Sequence, residues 1–334
     1  MPEKQTEKRK QTIHYHFQKI LTGSDLSTRR LPLMEATSER PGPMVWLTGC
    51  VHGDEVGGVV VIQEVFKRLK KHPLIKGTLF AYPMMNPIGF ENASRHISIS
   101  KEDLNRAFPG DPRGSLAQRI AGRIFSTIAE TGPDLVLDLH NDWIKSIPYS
   151  LLDQTPEECP AHLKNRIRSA AELTGFIMIN EQAQDALAMD RTISGSLIKA
   201  GVPALTLELG ESHVVNEKNV HDGTVAVWRV LSGMGMTKEA GGILNYIPPD
   251  RFRGLRLDYT QEPTSSKSGI IRFLKGPGDV VKKGDPIGRI YNVFGKLKET
   301  LVSECEGIVL GHSDSSVALP GSPVAAFGKL TGID

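Results

Sequence analysis

The sequence predicts an α/β fold: a mostly parallel sheet with helices on both faces, followed by a smaller all-β module. Three observations carry this. From about residue 44 to residue 235, short apolar runs alternate with helical stripes, the signature of a covered parallel sheet. Near residue 240, Gly241-Gly242 and Pro248-Pro249 mark a boundary, after which helical periodicity disappears and glycine-punctuated β runs take over. Finally, His52, His140 and Glu208 all fall at or just beyond the ends of predicted strands, where ligands bind in such sheets. The expected units are therefore residues 1–240 and 241–334.

Met44-Val45-Trp46-Leu47-Thr48 is an apolar run that ends at a glycine, as a buried strand does. After the His52 turn, Val59, Ile62, Phe66 and Leu69 recur at three- and four-residue steps and form one helical face. Thr78 to Pro83 reads as the next strand. Ser115 caps a helix with the stripe Leu116, Ile120, Ile124 and Ile128, and Gln118 stands where a capping box needs it. Asp134 to His140, Phe176 to Ile179 and Ala204 to Leu209 supply further strands, with a helix around residues 192–200 between the last two. In the tail, residues 269–273, 279–285, 287–290 and 307–310 are short β-type runs.

The chain has 334 residues, 39% of them hydrophobic and 23% charged, with a net charge of +2. It is long enough to bury a sizeable core. So small a charge gives no electrostatic footprint for nucleic acid or an anionic membrane. Cys50, Cys159 and Cys305 are too few and too scattered for a disulfide framework, which suits a reducing compartment. Cys50 lies two residues from His52, yet reads as a small buried strand residue. The first ten residues are charged and lead into no apolar stretch, so no secretory signal is expected. With no run long enough to span a bilayer, the expected location is cytoplasmic.

The chemistry concentrates in a few places. His52 and Glu55, in Thr48-Gly49-Cys50-Val51-His52-Gly53-Asp54-Glu55, are answered by His140 in Asp138-Leu139-His140. Two imidazoles and a carboxylate are what a catalytic zinc ion takes from protein, leaving one position open for water. Flanking glycines let the backbone turn sharply and a substrate approach closely. Asn105 and Arg106 offer an amide donor and a bidentate guanidinium fork suited to a substrate carboxylate. Glu208 stands among leucines, where a carboxylate is costly unless it is paired or has work to do. Near a zinc-bound water it suits a general base, a role for which Glu211 is the rival. His14, His16, His96, His213 and His221 have no partners at ligand spacing and read as structural or surface residues.

Taken together, Gly49 to Glu55, Asn86-Pro87, Asp103-Leu104-Asn105-Arg106-x-Phe108-Pro109-Gly110, Asp138-Leu139-His140 and Leu207-Glu208-Leu209-Gly210 resemble the succinylglutamate desuccinylase/aspartoacylase family. The resemblance spans about residues 40–235 and keeps the family's motif order. It implies a zinc carboxypeptidase-like fold, with His52, Glu55 and His140 as ligands of one Zn2+ ion. It also implies Asn105 and Arg106 as carboxylate binders, Glu208 as the catalytic glutamate, and an upstream arginine polarising the scissile carbonyl, for which Arg95 is the nearest candidate. The tail is similar to the biotinyl/lipoyl barrel-like module of such proteins, with Gly278 to Gly288 as one hairpin. Asn292 to Lys296 lacks the flank of a carrier lysine, so the module is expected to wall the active-site mouth. Tyr259 or Tyr291 is its candidate residue for reaching the substrate. Family members often form oligomers, so a homo-oligomer is open.

The expected activity is hydrolysis of the amide bond of a small N-acyl amino acid. The rivals are a metallocarboxypeptidase acting on peptides or cell-wall fragments, and a non-catalytic binding or carrier protein. The acyl group and the parent amine are not encoded in any motif, although residues 144–174 are expected to shape the pocket.

Overall fold

In a computed structural model of the chain, the described residues are 11–22, 26, 28–154, 159–182, 190–313 and 315–331. The charged segment at residues 1–10 and positions 155–158 of the 144–174 stretch lie outside them.

The apolar runs form the centre of a 13-stranded sheet. β1 (Gln11–Thr22) and β2 (Thr28–Ser38) are followed by β3 (Met44–Gly49), β4 (Thr78–Tyr82), β5 (Leu135–His140), β6 (Lys145–Ser146), β7 (Tyr149–Leu152), β8 (Ile177–Asn180) and β9 (Ala204–Glu208). The main sheet gains β10 (Arg256–Thr260), β12 (Val280–Val281), β15 (Gly307–His312) and β17 (Ala325–Lys329) from the C-terminal region. Its order is β1-β2-β4-β3-β5-β9-β7-β8-β10-β17-β15-β12, with β6 beside β15. A four-stranded sheet of β11 (Gly269–Phe273), β13 (Pro286–Tyr291), β14 (Leu297–Val302) and β16 (Val317–Ala318) completes the tail.

The expectation of a mostly parallel sheet needs correction. Parallel pairing holds for β4-β3-β5-β9 and for β7-β8-β10. β7 runs antiparallel to β9, and β1, β2, β12, β15 and β17 make antiparallel pairs only. The sheet is mixed because its outer strands are joined by hairpins or returning segments, which permit antiparallel pairing without a crossover helix. Nor does the change of texture near residue 240 interrupt it, since β10 pairs in parallel with β8.

Helices cover both faces at the centre. α1 (Gly57–Leu69) packs against α6 (Glu217–Gly233), which also packs against α4 (Ala161–Thr174). Gly58 of α1 meets Leu139, with a hypothetical Cβ only 2.8 Å from the Leu139 carbonyl oxygen. Side chains alternate along β5, so Asp138 and His140 point to the opposite face. There α5 (Ile193–Lys199) contacts β5 and β9 and meets α3 (Leu116–Glu130). The Ser115–Gln118 capping box of α3 is formed, and Thr192 caps α5 through the Gly195 amide. α2 (Pro87–Phe90) is a single turn beside the His52 loop.

Candidate active site

The chain leaves β3 through Cys50, whose φ of +53° turns it sharply toward His52. The turn is pinned from one side. The Met85 and Asn86 amides donate to the Gly49 and Cys50 carbonyls, and the Gly53 amide donates to Ser94. A Cβ on Gly53 would stand 2.0 Å from the Gly89 carbonyl carbon, so nothing larger fits where the loop crosses α2. Asn86 caps α2 by accepting from the Gly89 amide, and Pro87 supplies the first helical residue. The Asn86-Pro87 motif thus holds the platform under His52. The Cys50 thiol is buried and pushed up to about 12 by burial and by Glu55, which fits a packed thiol rather than a nucleophile.

His52, Glu55 and His140 converge as the sequence predicts, and all three are buried. The His52 Nδ1 lies 2.5 Å from one Glu55 oxygen, and the His140 Nδ1 lies 3.0 Å from the other. Potential ligand atoms of the three residues lie within 4.8 Å of one another. Each ring is held from behind by a carboxylate: His140 Nε2 is 2.7 Å from Asp138, and His52 Nε2 is 3.2 Å from Asp103. Asp138 is fixed in turn by the Thr48 hydroxyl at 2.6 Å. Both Nδ1 atoms are thereby turned toward one point, the arrangement that orients imidazoles on a metal. The donor set fits a zinc ion. Burial pushes the Glu55 carboxyl up, but the two imidazoles outweigh it and hold it below the ordinary range. Burial alone would lower His140, yet Asp138 and Glu55 raise it well above a free imidazole.

Asn141 went unnoticed in the sequence, although it follows His140 directly. Its amide donates to Glu55, its side-chain oxygen accepts from the Gly57 amide, and its side-chain nitrogen donates to the Gly210 and Glu211 carbonyls. One residue therefore ties the end of β5 to the start of α1 and to the turn after β9. Asp103 and Asp138 also went unassigned. Asp138 was within reach of strand periodicity, since it shares a face with His140 two residues on.

Arg95 stands beside this cluster. Its guanidinium contacts Asp103 at 3.1 Å and lies 3.3 Å from His52 Nδ1 and 3.7 Å from Glu55. Asn105 and Arg106 sit in a single 3-10 turn capped by Asp103. The Asn105 side-chain oxygen accepts from the Ile193 amide at the start of α5. Arg106 bends back to donate to the Asn105 carbonyl.

Glu208 closes β9 directly opposite His140 in the register. One of its oxygens is buried without a hydrogen-bond partner. Burial raises its carboxyl well above the ordinary range, and Asp142, Glu55 and Asp138 add to the rise against the opposing pull of His140. Glu211 is occupied elsewhere, accepting from Asn216 at 2.6 Å and pairing with Lys145 at 3.6 Å.

These groups line one cavity of about 140 Å³. Its wall holds His52, Glu55, His140, Arg95, Asn105, Arg106 and Glu208, and also Asp142, Leu151, Asp153, Glu181, Thr192, Ser194 and Thr206. Thus Leu151 and Asp153, from the stretch expected to shape the pocket, do border it. The residues lining it fall between positions 52 and 208. Of the two candidate tyrosines, Tyr259 approaches. Burial raises its phenol, Asp142 and Glu208 raise it further, and Gln261 donates to its oxygen. Tyr291 lies on the four-stranded sheet near the Arg272 guanidinium.

Residues 41–234 match the succinylglutamate desuccinylase/aspartoacylase catalytic domain. The chain is 26% identical over 298 residues to N-alpha-acetyl-L-2,4-diaminobutyric acid deacetylase of Halomonas elongata, covering 84% of this chain and 80% of that one. A crystal structure described as a succinylglutamate desuccinylase/aspartoacylase from Rhodobacter sphaeroides superimposes with a TM-score of 0.76 at 22% identity, covering 96% of each chain. A metallo-carboxypeptidase from Burkholderia cenocepacia gives a TM-score of 0.54 at 16% identity over 66% of this chain and 64% of its own.

Proposed function

The chain belongs to the succinylglutamate desuccinylase/aspartoacylase family, and from that premise we propose that it is a zinc-dependent hydrolase cleaving the amide bond of an N-acyl amino acid. One observation carries the reading: a buried His52–Glu55–His140 cluster shares its cavity with a carboxylate, Glu208, that has an oxygen free of partners. His52, Glu55 and His140 would hold the zinc ion, which when bound would lower the pKa of a water and polarise the scissile carbonyl. Everything else falls to the chain. Glu208 accepts the proton of the attacking water and returns it to the leaving nitrogen, a double task suited to a carboxyl with a raised pKa. Arg95 faces the developing negative charge on the carbonyl oxygen. Asn105 and Arg106 hold the substrate carboxylate and so align the amide. Asp138 and Asp103 keep the imidazoles in register.

The Halomonas relative, named as a deacetylase of an N-acetylated amino acid, supports an acyl amino acid as the substrate class. The names of these relatives differ in the charge of that amino acid, acidic in the family's name and basic in the Halomonas enzyme.

Elemental mass spectrometry of the purified protein tests the metal. The expected result is about one zinc per chain, lost in both His52→Ala and His140→Ala, with amine release from N-acetyl or N-succinyl amino acids by the wild type. A protein that holds no metal and takes up none from added zinc would sink the hydrolase reading and bring the binding-module alternative forward.

A further inference from the structure

We propose that Asp153 and Glu181 form a subsite for a primary ammonium group on the amino-acid portion of the substrate, so that N-acyl diamino acids are taken in preference to N-acyl dicarboxylic amino acids. The inference deepens the deacylase reading and rests on it.

The two carboxyls are brought together by strand register. β7 and β8 run parallel with Leu152 opposite Asn180, and the Glu181 amide donates to the Leu152 carbonyl. Asp153 and Glu181 are the residues immediately beyond the ends of the two strands. Leu151 pairs with Thr206 in β9, and two-residue alternation puts Leu151 and Asp153 on the face that also carries Thr206 and Glu208. Both acids accordingly line the cavity that holds the His52–Glu55–His140 cluster.

Asp153 is not fully satisfied by the protein. Asp153 interacts with the Ser194 hydroxyl and with Glu181, yet its Oδ2 is buried without a partner. Facing Glu181, the positive groups are Arg106 and His140. Both have other work in the site, at the substrate carboxylate and at the metal. Two adjacent carboxyls with one oxygen orphaned are costly to bury unless a cation joins them. Burial and mutual repulsion raise Asp153 to about 8, so the pair holds a proton when the cavity lacks a cation. An ammonium group brings three donors and a positive charge and can displace that proton. A second substrate carboxylate would instead meet like charge there.

The test compares three acetylated substrates on one skeleton: Nα-acetyl-2,4-diaminobutyrate, N-acetyl-2-aminobutyrate, which lacks the amine, and N-acetylaspartate. In the wild type the diamino substrate should exceed the des-amino one in kcat/KM by about 10- to 100-fold, chiefly through KM. Asp153→Asn and Glu181→Gln should each shrink that ratio by about tenfold or more. A wild-type preference for N-acetylaspartate, or a ratio unchanged in both variants, would overturn the subsite. The wild-type comparison needs no variant to fold. Calorimetric binding of 2,4-diaminobutyrate against 2-aminobutyrate reads the subsite without catalysis. Tighter diamino acid binding with no hydrolysis would keep the subsite and reject the deacylase. Hydrolysis without amine preference would do the reverse.

Discussion

Glu208 ends a strand of apolar residues with one oxygen unpaired, and a buried carboxylate in that state is retained only where it has a use. Replacing it by Gln keeps the shape and removes the base. Glu208→Gln should lower kcat by about 10²- to 10⁴-fold while zinc content stays at the wild-type level. If kcat survives, the proton passes through another group. Residues of this kind were legible in the sequence. His52 and Glu55 sit three apart after an apolar run, and His140 and Glu208 are polar endings on apolar strands. Asp153 and Glu181 were not legible, because nothing in either local sequence says that β7 and β8 lie side by side. Asn141 was missed for a similar reason, since its partners at Gly57 and Gly210 are 84 and 69 residues away.

At the scale of elements, the register of β7 and β8 has an energetic consequence. It forces two carboxyls together on a covered face, with Ser194, Arg106, Asp138 and His140 as the groups acting on them. Asp153 is raised from its ordinary 3.8 to about 8, so the folded state keeps a proton that the unfolded chain releases. Stability therefore falls as pH rises through that window. Asp153→Asn removes the titration, and its melting temperature should gain on the wild type between about pH 5 and about pH 8. Calorimetry showing the same difference at both ends of the range would contradict the argument. The central strands were readable because they are buried and nearly all apolar. The β1–β2 hairpin was not, because β1 is largely exposed and β2 carries Arg29, Arg30 and Glu35, so neither shows clean alternation. Its position comes from pairing β2 with β4, which no local pattern announces.

Across the whole molecule, the change of texture near residue 240 divides the sequence more than it divides the core. One hydrophobic cluster joins Ile147, Tyr149, Ile177 and Ile179 to Phe252, Leu257, Ile308, Leu310 and Ala326. A chain ending at residue 240 would strip these partners away and leave β8 as a bare apolar edge, a template for association. Such a fragment should aggregate in light scattering, whereas a monomer that unfolds cooperatively would show that residues 1–240 stand alone. The family motifs were specific enough to name the fold over residues 41–234. The mixed pairing of the sheet was not, since strand direction follows from distant connections.

The place of β17 in the main sheet bears on the order in which the chain is made. β17 follows every other described strand in sequence, yet it lies inside the sheet, hydrogen-bonded to β10 on one side and β15 on the other. A growing chain emerging from the ribosome can assemble β3, β4, β5 and β9 early, while β10 waits with one flank open until residues 325–329 arrive. The sheet is closed from the inside by its latest strand, and the nascent molecule is most vulnerable to misassembly just before synthesis reaches that strand.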